Sequence, residues 1–144
     1  MKLYCMLLCL LMATACVQPG GRSSLTNPNI QVVNGMFAAF NEHDWQKMAS
    51  YYADSALFLD PAYGHEPVIL TRRQMVEKYQ ELHKILPDVQ DEVKEIYADK
   101  NHIIVEFISS ATGQDSKKWQ LPLCVVFTIE HGKIISDRTY YDQE

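Results

Sequence analysis

The chain has 144 residues, 47% of them hydrophobic, and carries 18 acidic against 13 basic side chains for a net charge of −5 at pH 7. At that length one domain is the natural expectation. An acidic chain with no block of like charges argues against a nucleic-acid binder, whose affinity rests on clustered Lys and Arg.

The chain opens on MKLYCMLLCLLMATA: one basic residue, Lys2, an apolar stretch from Leu3 to Met12, then small residues. This pattern predicts a secretory signal over residues 1–15, because the apolar run falls short of the ~20 residues that span a membrane. Ala13-Thr14-Ala15-Cys16 resembles the bacterial lipoprotein lipobox, although Ala13 stands where leucine is usual. The resemblance implies cleavage after Ala15, lipidation of Cys16, and a membrane-anchored protein facing the periplasm or cell exterior. Residues 16–26 are rich in Gly, Pro and Ser without apolar period and read as a flexible tether. The folded domain is expected over residues 27–144. Of the four cysteines only Cys124 falls there, so the domain holds itself by its core and not by a disulfide.

Asn27-Pro28 opens a first helix, with Asn as cap and Pro in the first turn. Val32, Val33, Met36, Phe37 and Phe40 then recur at helical spacing to about Asn41. Asp44 caps a second helix over residues 45–53. The run ALFLD, residues 56–60, is the first strand, and residues 61–70 read as an irregular loop. Thr71 with Gln74 has the form of a capping box and starts a third helix over residues 72–85, with Met75, Tyr79 and Leu82 as its apolar stripe. Beyond Pro87 four β-rich runs separated by short turns predict an antiparallel meander. The fold class is therefore α+β, with helices on one face of a curved sheet.

In KWQLPLCVVFTIE, Trp119, Leu121, Leu123, Val125, Phe127 and Ile129 share one face, and Gln120, Pro122, Cys124, Val126 and Thr128 the other. Both sets are largely apolar, so both faces expect cover. Helices cover one; a homodimer through the sheet is the candidate for the second.

The stretches MFAAFNEHDWQKMASYYADSALFLDP, FTIEHGKI and RTYYDQ, in this order and spacing, resemble the SnoaL-like group of the nuclear transport factor 2-like superfamily. The resemblance implies a cone-shaped α+β fold, three helices on a mainly antiparallel curved sheet, enclosing one apolar pocket. YYADSALFLDPAYG is similar to the ketosteroid isomerase stretch in which an Asp-Pro pair supplies the general base, which puts Asp60 at the base position. The oxyanion donors of that enzyme fall at Met36 and Cys124, neither of which donates a strong hydrogen bond. The acid of limonene epoxide hydrolase falls at Thr139. Neither specific activity is therefore expected.

Asp60 and Asp137 are the candidate catalytic carboxylates, and the pair is expected to supply the only acids of the pocket. Burial in an apolar pocket is expected to raise the pKa of Asp60. Met36, Phe40, Phe58, Tyr63, Tyr79, Cys124, Thr139 and Tyr141 are the candidate pocket wall, with Asp137, Thr139 and Tyr141 on one strand face. No HExxH, cysteine pair or Gly-rich phosphate loop is present and the five histidines are scattered, so neither a metal nor another cofactor is expected. Two readings remain: a module that binds a small hydrophobic molecule, which the missing oxyanion donors favour, and a cyclase- or isomerase-type enzyme that moves a proton on a hydrophobic carbonyl compound.

Overall fold

The computed structural model describes residues 27–113 and 115–142. The expected signal, Cys16 and tether lie outside the described residues. Helix α1 (Pro28–Asn41) begins where Asn27 accepts the Asn29 N–H, and α2 (Trp45–Ser50) where Asp44 accepts the Lys47 N–H. Strand β1 (Tyr52–Leu59) leads through a short 3-10 turn at Pro61–Tyr63 to β2 (Val68–Thr71). Helix α3 (Arg72–Ile85) starts on a complete Thr71/Gln74 capping box. Strands β3 (Gln90–Asp99), β4 (His102–Thr112), β5 (Lys118–Glu130) and β6 (Lys133–Tyr140) follow.

The six strands form one mixed sheet in the order β2-β1-β6-β5-β4-β3. All neighbours are antiparallel except β1 and β6, which run parallel. The α+β class stands, with three corrections. The third helix follows two strands and so is not part of an N-terminal helical block. Residues 52–55 also belong to β1 and not to a helix and turn, because Tyr52 pairs with Ile134 of the last strand. The segment expected as loop contains β2, whose Val68–Thr71 pair with Ser55–Phe58. At four residues between Pro67 and a helix cap, β2 is too short to show a period.

The helices lie on the inner face of the sheet. Phe37 of α1 meets Phe107 and Phe127 edge to face at 5.1 and 6.3 Å, which pins the helix to β4 and β5. Trp45 stacks on Tyr79 at 5.8 Å and so ties α2 to α3. The β5–β6 hairpin turns on His131 and Gly132, both at positive φ (50° and 72°), the pair of conformations a type I′ hairpin needs. Inward residues of β4 and β5, such as Val105, Val125 and Phe127, are buried. Further along these strands a cavity opens between the inner face and α3.

Candidate functional site

A cavity of about 250 Å3 lies between α3 and the inner face of β3, β4, β5 and the end of β6. Its apolar walls include Phe40, Leu82, Leu86, Phe107, Leu121 and Leu123. Asp60, Lys78, Tyr79, Asp91, Thr139 and Tyr141 bring polar groups to it. A narrower annex of about 50 Å3 shares Phe40, Tyr79, Asp91, Phe107 and Thr139 with the cavity and adds Met36, Tyr52 and Asp137. A larger cavity of about 530 Å3 on the other side of Trp119 is lined mostly by polar side chains, among them Asp88, Gln90, Lys118 and Gln120, and holds no such convergence of carboxylates.

Asp60 stands at the junction of strand and turn. Its backbone is extended, Pro61 fixes the next residue, and its Oδ1 accepts the Ala62 N–H at 2.9 Å. The Tyr141 hydroxyl donates to the same oxygen at 3.1 Å, and the Lys78 ammonium sits 3.0 Å from Oδ2. Burial by itself pushes Asp60 up, but Lys78, the Ala62 N–H and Tyr141 overcome it and hold the carboxyl below its usual value. The expected rise is thus reversed: Asp60 is an ion-paired acceptor whose two oxygens are already engaged, a poor starting point for a general base. Lys78 is held well above the usual lysine range, since Tyr79, Asp60 and Tyr63 outweigh its own burial.

Asp137 lies deeper, in the annex wall. It is 7% exposed; its Oδ2 accepts from the Tyr52 hydroxyl at 2.8 Å and its Oδ1 from Thr139 at 3.0 Å. Burial raises it, against these two hydrogen bonds. Tyr52 is raised well above the usual tyrosine range by burial and by the adjoining Asp137.

Asp60 and Asp137 are joined by a third acid that the sequence reading missed. Asp91 of β3 lines both cavity and annex. It pairs in register with Ser109, and Asn41 of α1 bonds both its N–H and its carbonyl. Its Oδ1 is buried with no hydrogen-bond partner among the described residues. Burial pushes Asp91 up to about 6, with Ser109 opposing the rise.

Three expected wall residues lie elsewhere. Cys124 pairs with Glu106 and Tyr140 on the outer face, in a groove with Lys94, Ile108 and Pro122. The strand alternates, so Leu123 and Val125 face inward in its place, and neither donates a hydrogen bond. The Cys124 thiol is raised by burial and by Glu106, which leaves it a poor nucleophile. Phe58 is core: it stacks on Tyr52 at 5.5 Å. Tyr63 sits exposed on the 3-10 turn with the Lys78 ammonium 4.6 Å from its ring, holding that cation from outside. Met36 lines the annex, and Phe40, Tyr79 and Thr139 line both spaces, while Tyr141 lines the main cavity.

A cone of helices on a bent mixed sheet, hollow at one end and with acids set in apolar walls, defines a nuclear transport factor 2-like pocket domain. The chain belongs to the SnoaL-like domain family, whose pattern it matches over residues 33–136. No protein of curated function matches it. Solved structures with the same fold include a ketosteroid isomerase-like protein from Catenulispora acidiphila DSM 44928 in complex with trimethylamine (18% identity, 81% of this chain and 88% of that one, TM-score 0.70). They also include IdmH, a candidate polyketide cyclase from Streptomyces antibioticus (17%, 81% and 93%, 0.71). AclR, a candidate hydroxylase from Streptomyces galilaeus, is a further one (19%, 79% and 78%, 0.68). At these identities the likeness extends to the fold and not to ligand or activity.

Proposed function

We propose that this is an exported, lipid-anchored domain whose cavity binds a small hydrophobic molecule. The carrying observation is the cavity itself: about 250 Å3 of space with largely apolar walls and a few converging polar groups, the usual build of a small-molecule site. Neither Trp119 nor Tyr141 fills it; both form its wall. Native mass spectrometry of the protein extracted from its source membrane is expected to show one co-purifying apolar species. Leu121→Trp, which fills the cavity, should lose it while keeping the fold. A wild type that carries no such species and takes up no apolar probe overturns the reading.

A second reading, acid–base catalysis on a hydrophobic carbonyl compound, is favoured by the way the site separates its acids. Asp60 is lowered while Asp91 and Asp137 are raised, and acids pushed apart in one pocket divide proton-donating and proton-accepting roles. In this reading Asp91 or Asp137 moves the proton, and Lys78, whose ammonium keeps further N–H groups beyond the one on Asp60, offers a hydrogen bond to a developing oxyanion. Asp60 holds that ammonium in place.

Anchoring and assembly belong to the same proposal. Cys16→Ser is expected to move the protein from the membrane to the soluble fraction, read by fractionation; continued tight membrane association refutes lipidation there. The outer sheet face exposes Tyr97, Ile104 and Tyr140 around Val126 and Cys124, with Glu106 and Arg138 between them, a mixed surface suited to a second copy. Ile104→Glu is expected to convert a dimer to a monomer in light scattering, and an unchanged mass in the two proteins sinks the sheet-to-sheet dimer.

A further inference from the structure

We propose that the annex is a subsite for an ammonium group, so that the ligand is an amphiphilic amine with its apolar body in the main cavity and its cation beside Asp91 and Asp137. The inference rests on the pocket reading and narrows it to a chemical class.

Four observations converge. The charged residues that line the annex are Asp91 and Asp137, both acids. The cation of the adjoining cavity, Lys78, is already committed to Asp60 at 3.0 Å. An ammonium group therefore meets two acceptors and no competing cation, whereas an anionic head meets like charge on both sides. Second, Asp91 keeps a buried Oδ1 without a donor. A carboxylate taken out of water with one oxygen unpaired has its desolvation only partly offset, here by Ser109, and a bound cation offsets the rest directly. Third, the remaining wall is rich in aromatic rings, among them Phe37, Phe40, Tyr79 and Phe107, and ring faces attract organic cations. Fourth, size divides the ligand. The annex, about 50 Å3, compares with the ~30 Å3 share of one liquid water, so it takes a head group and no ring. The apolar body stays in the main cavity, which shares Phe40, Tyr79 and Asp91 with the annex as lining residues.

The groups that bear on Asp91 are Ser109 from β4, Asn41 from α1, Lys78 and Tyr79 from α3, Asp137 from β6 and Asp60 after β1, with His43 nearby on the Val89 carbonyl. Burial leaves Asp91 partly protonated near pH 6. A cation favours its ionised form, so binding an amine releases a proton and tightens as pH rises from 5 to 7.5. Asp137, raised by the same cause, acts in the same direction.

The test is a matched pair of probes, 2-phenylethylamine and 2-phenylethanol, titrated into the full-length protein by calorimetry. They share a ring and chain and differ in the charge of the head. The amine is expected to bind at least tenfold tighter than the alcohol at pH 7.5, and that preference should shrink at least fivefold at pH 5. Asp91→Asn should abolish the preference at pH 7.5 while leaving alcohol affinity within twofold. If the variant does not fold, the pH series on the wild type decides. An alcohol that binds as well as the amine at pH 7.5 overturns the ammonium subsite and leaves the pocket standing. Failure of both probes at millimolar concentration overturns the pocket reading, and the subsite with it.

Discussion

Lys78→Met is expected to destabilise the domain by about 2–3 kcal/mol at pH 7, read from urea unfolding. Removing one partner of a buried ion pair strands the other, at about 3–5 kcal/mol when burial is complete. Here the side chains keep 25% (Lys78) and 17% (Asp60) exposure, and Asp60 keeps the Ala62 N–H and Tyr141 hydroxyl, so a lower figure is appropriate. The pH dependence separates this from a packing defect. In the wild type the folded-state pKa of Asp60 is depressed. Its contribution is therefore present above the unfolded carboxylate value near ~4 and is lost as pH falls through the folded value. Without Lys78 the burial that opposes ionisation loses its main counterweight, and the folded pKa rises. The deficit of Lys78→Met should then be large at pH 7 and shrink towards pH 4 as Asp60 takes up a proton. The double variant Asp60→Asn/Lys78→Met should recover most of the loss at pH 7. A deficit equal at both pH values would mean that the methylene packing of Lys78, and not its charge, is what matters.

That ion pair also shows what the sequence revealed and where reading it stopped. The helix starts were legible because caps are local: Asn27, Asp44 and the Thr71/Gln74 box each bond to the backbone within three residues. The four long strands were legible from alternation and short turns. Asp60 was legible because an acid closing an apolar strand before a proline is conspicuous. Its partner was not, because a lysine beside an apolar stripe is by default a solvated side chain. Yet Lys78 stands three residues after Met75 and four before Leu82, on the face α3 turns inward. Asp91 carried a similar signal. It shares strand parity with Val93 of β3 and with Val89 just ahead of it, hence faces the cavity, and only its charge concealed it. Cys124 was misplaced for the opposite reason: a family position was carried over against the alternation of its own strand, in which Leu123 and Val125 face in. The pKa of Asp60 was beyond sequence altogether, because it depends on three groups 2, 18 and 81 residues away.

Tyr52→Phe is expected to cost about 2 kcal/mol at pH 7, within the range for a hydrogen bond to a charged group. The change deletes one oxygen from a fully buried ring that still stacks on Phe58, so packing is nearly conserved and the effect falls on Asp137. Asp137 is an acid with a raised folded-state pKa. Such a group favours folding below its unfolded value and loses that contribution as pH rises through the folded value. The Tyr52 hydroxyl stabilises the anion, so its removal lifts the folded pKa further and makes ionisation more costly. The deficit should accordingly shrink as pH falls and Asp137 takes up a proton, since the neutral acid can itself donate, and grow as pH rises and the carboxyl ionises. The deficit runs in the same direction as that of Lys78→Met, because both variants remove a group that stabilises a carboxylate anion; the wild-type shifts are what differ, Asp60 being lowered and Asp137 raised. Asp137→Asn, which removes the charge, should abolish the pH dependence of the Tyr52→Phe deficit in a double-mutant cycle. A deficit that is constant from pH 4 to 8 would show that the hydroxyl supports the fold without acting on the carboxylate, and would remove Tyr52 from any account of how the annex sets the charge of Asp137.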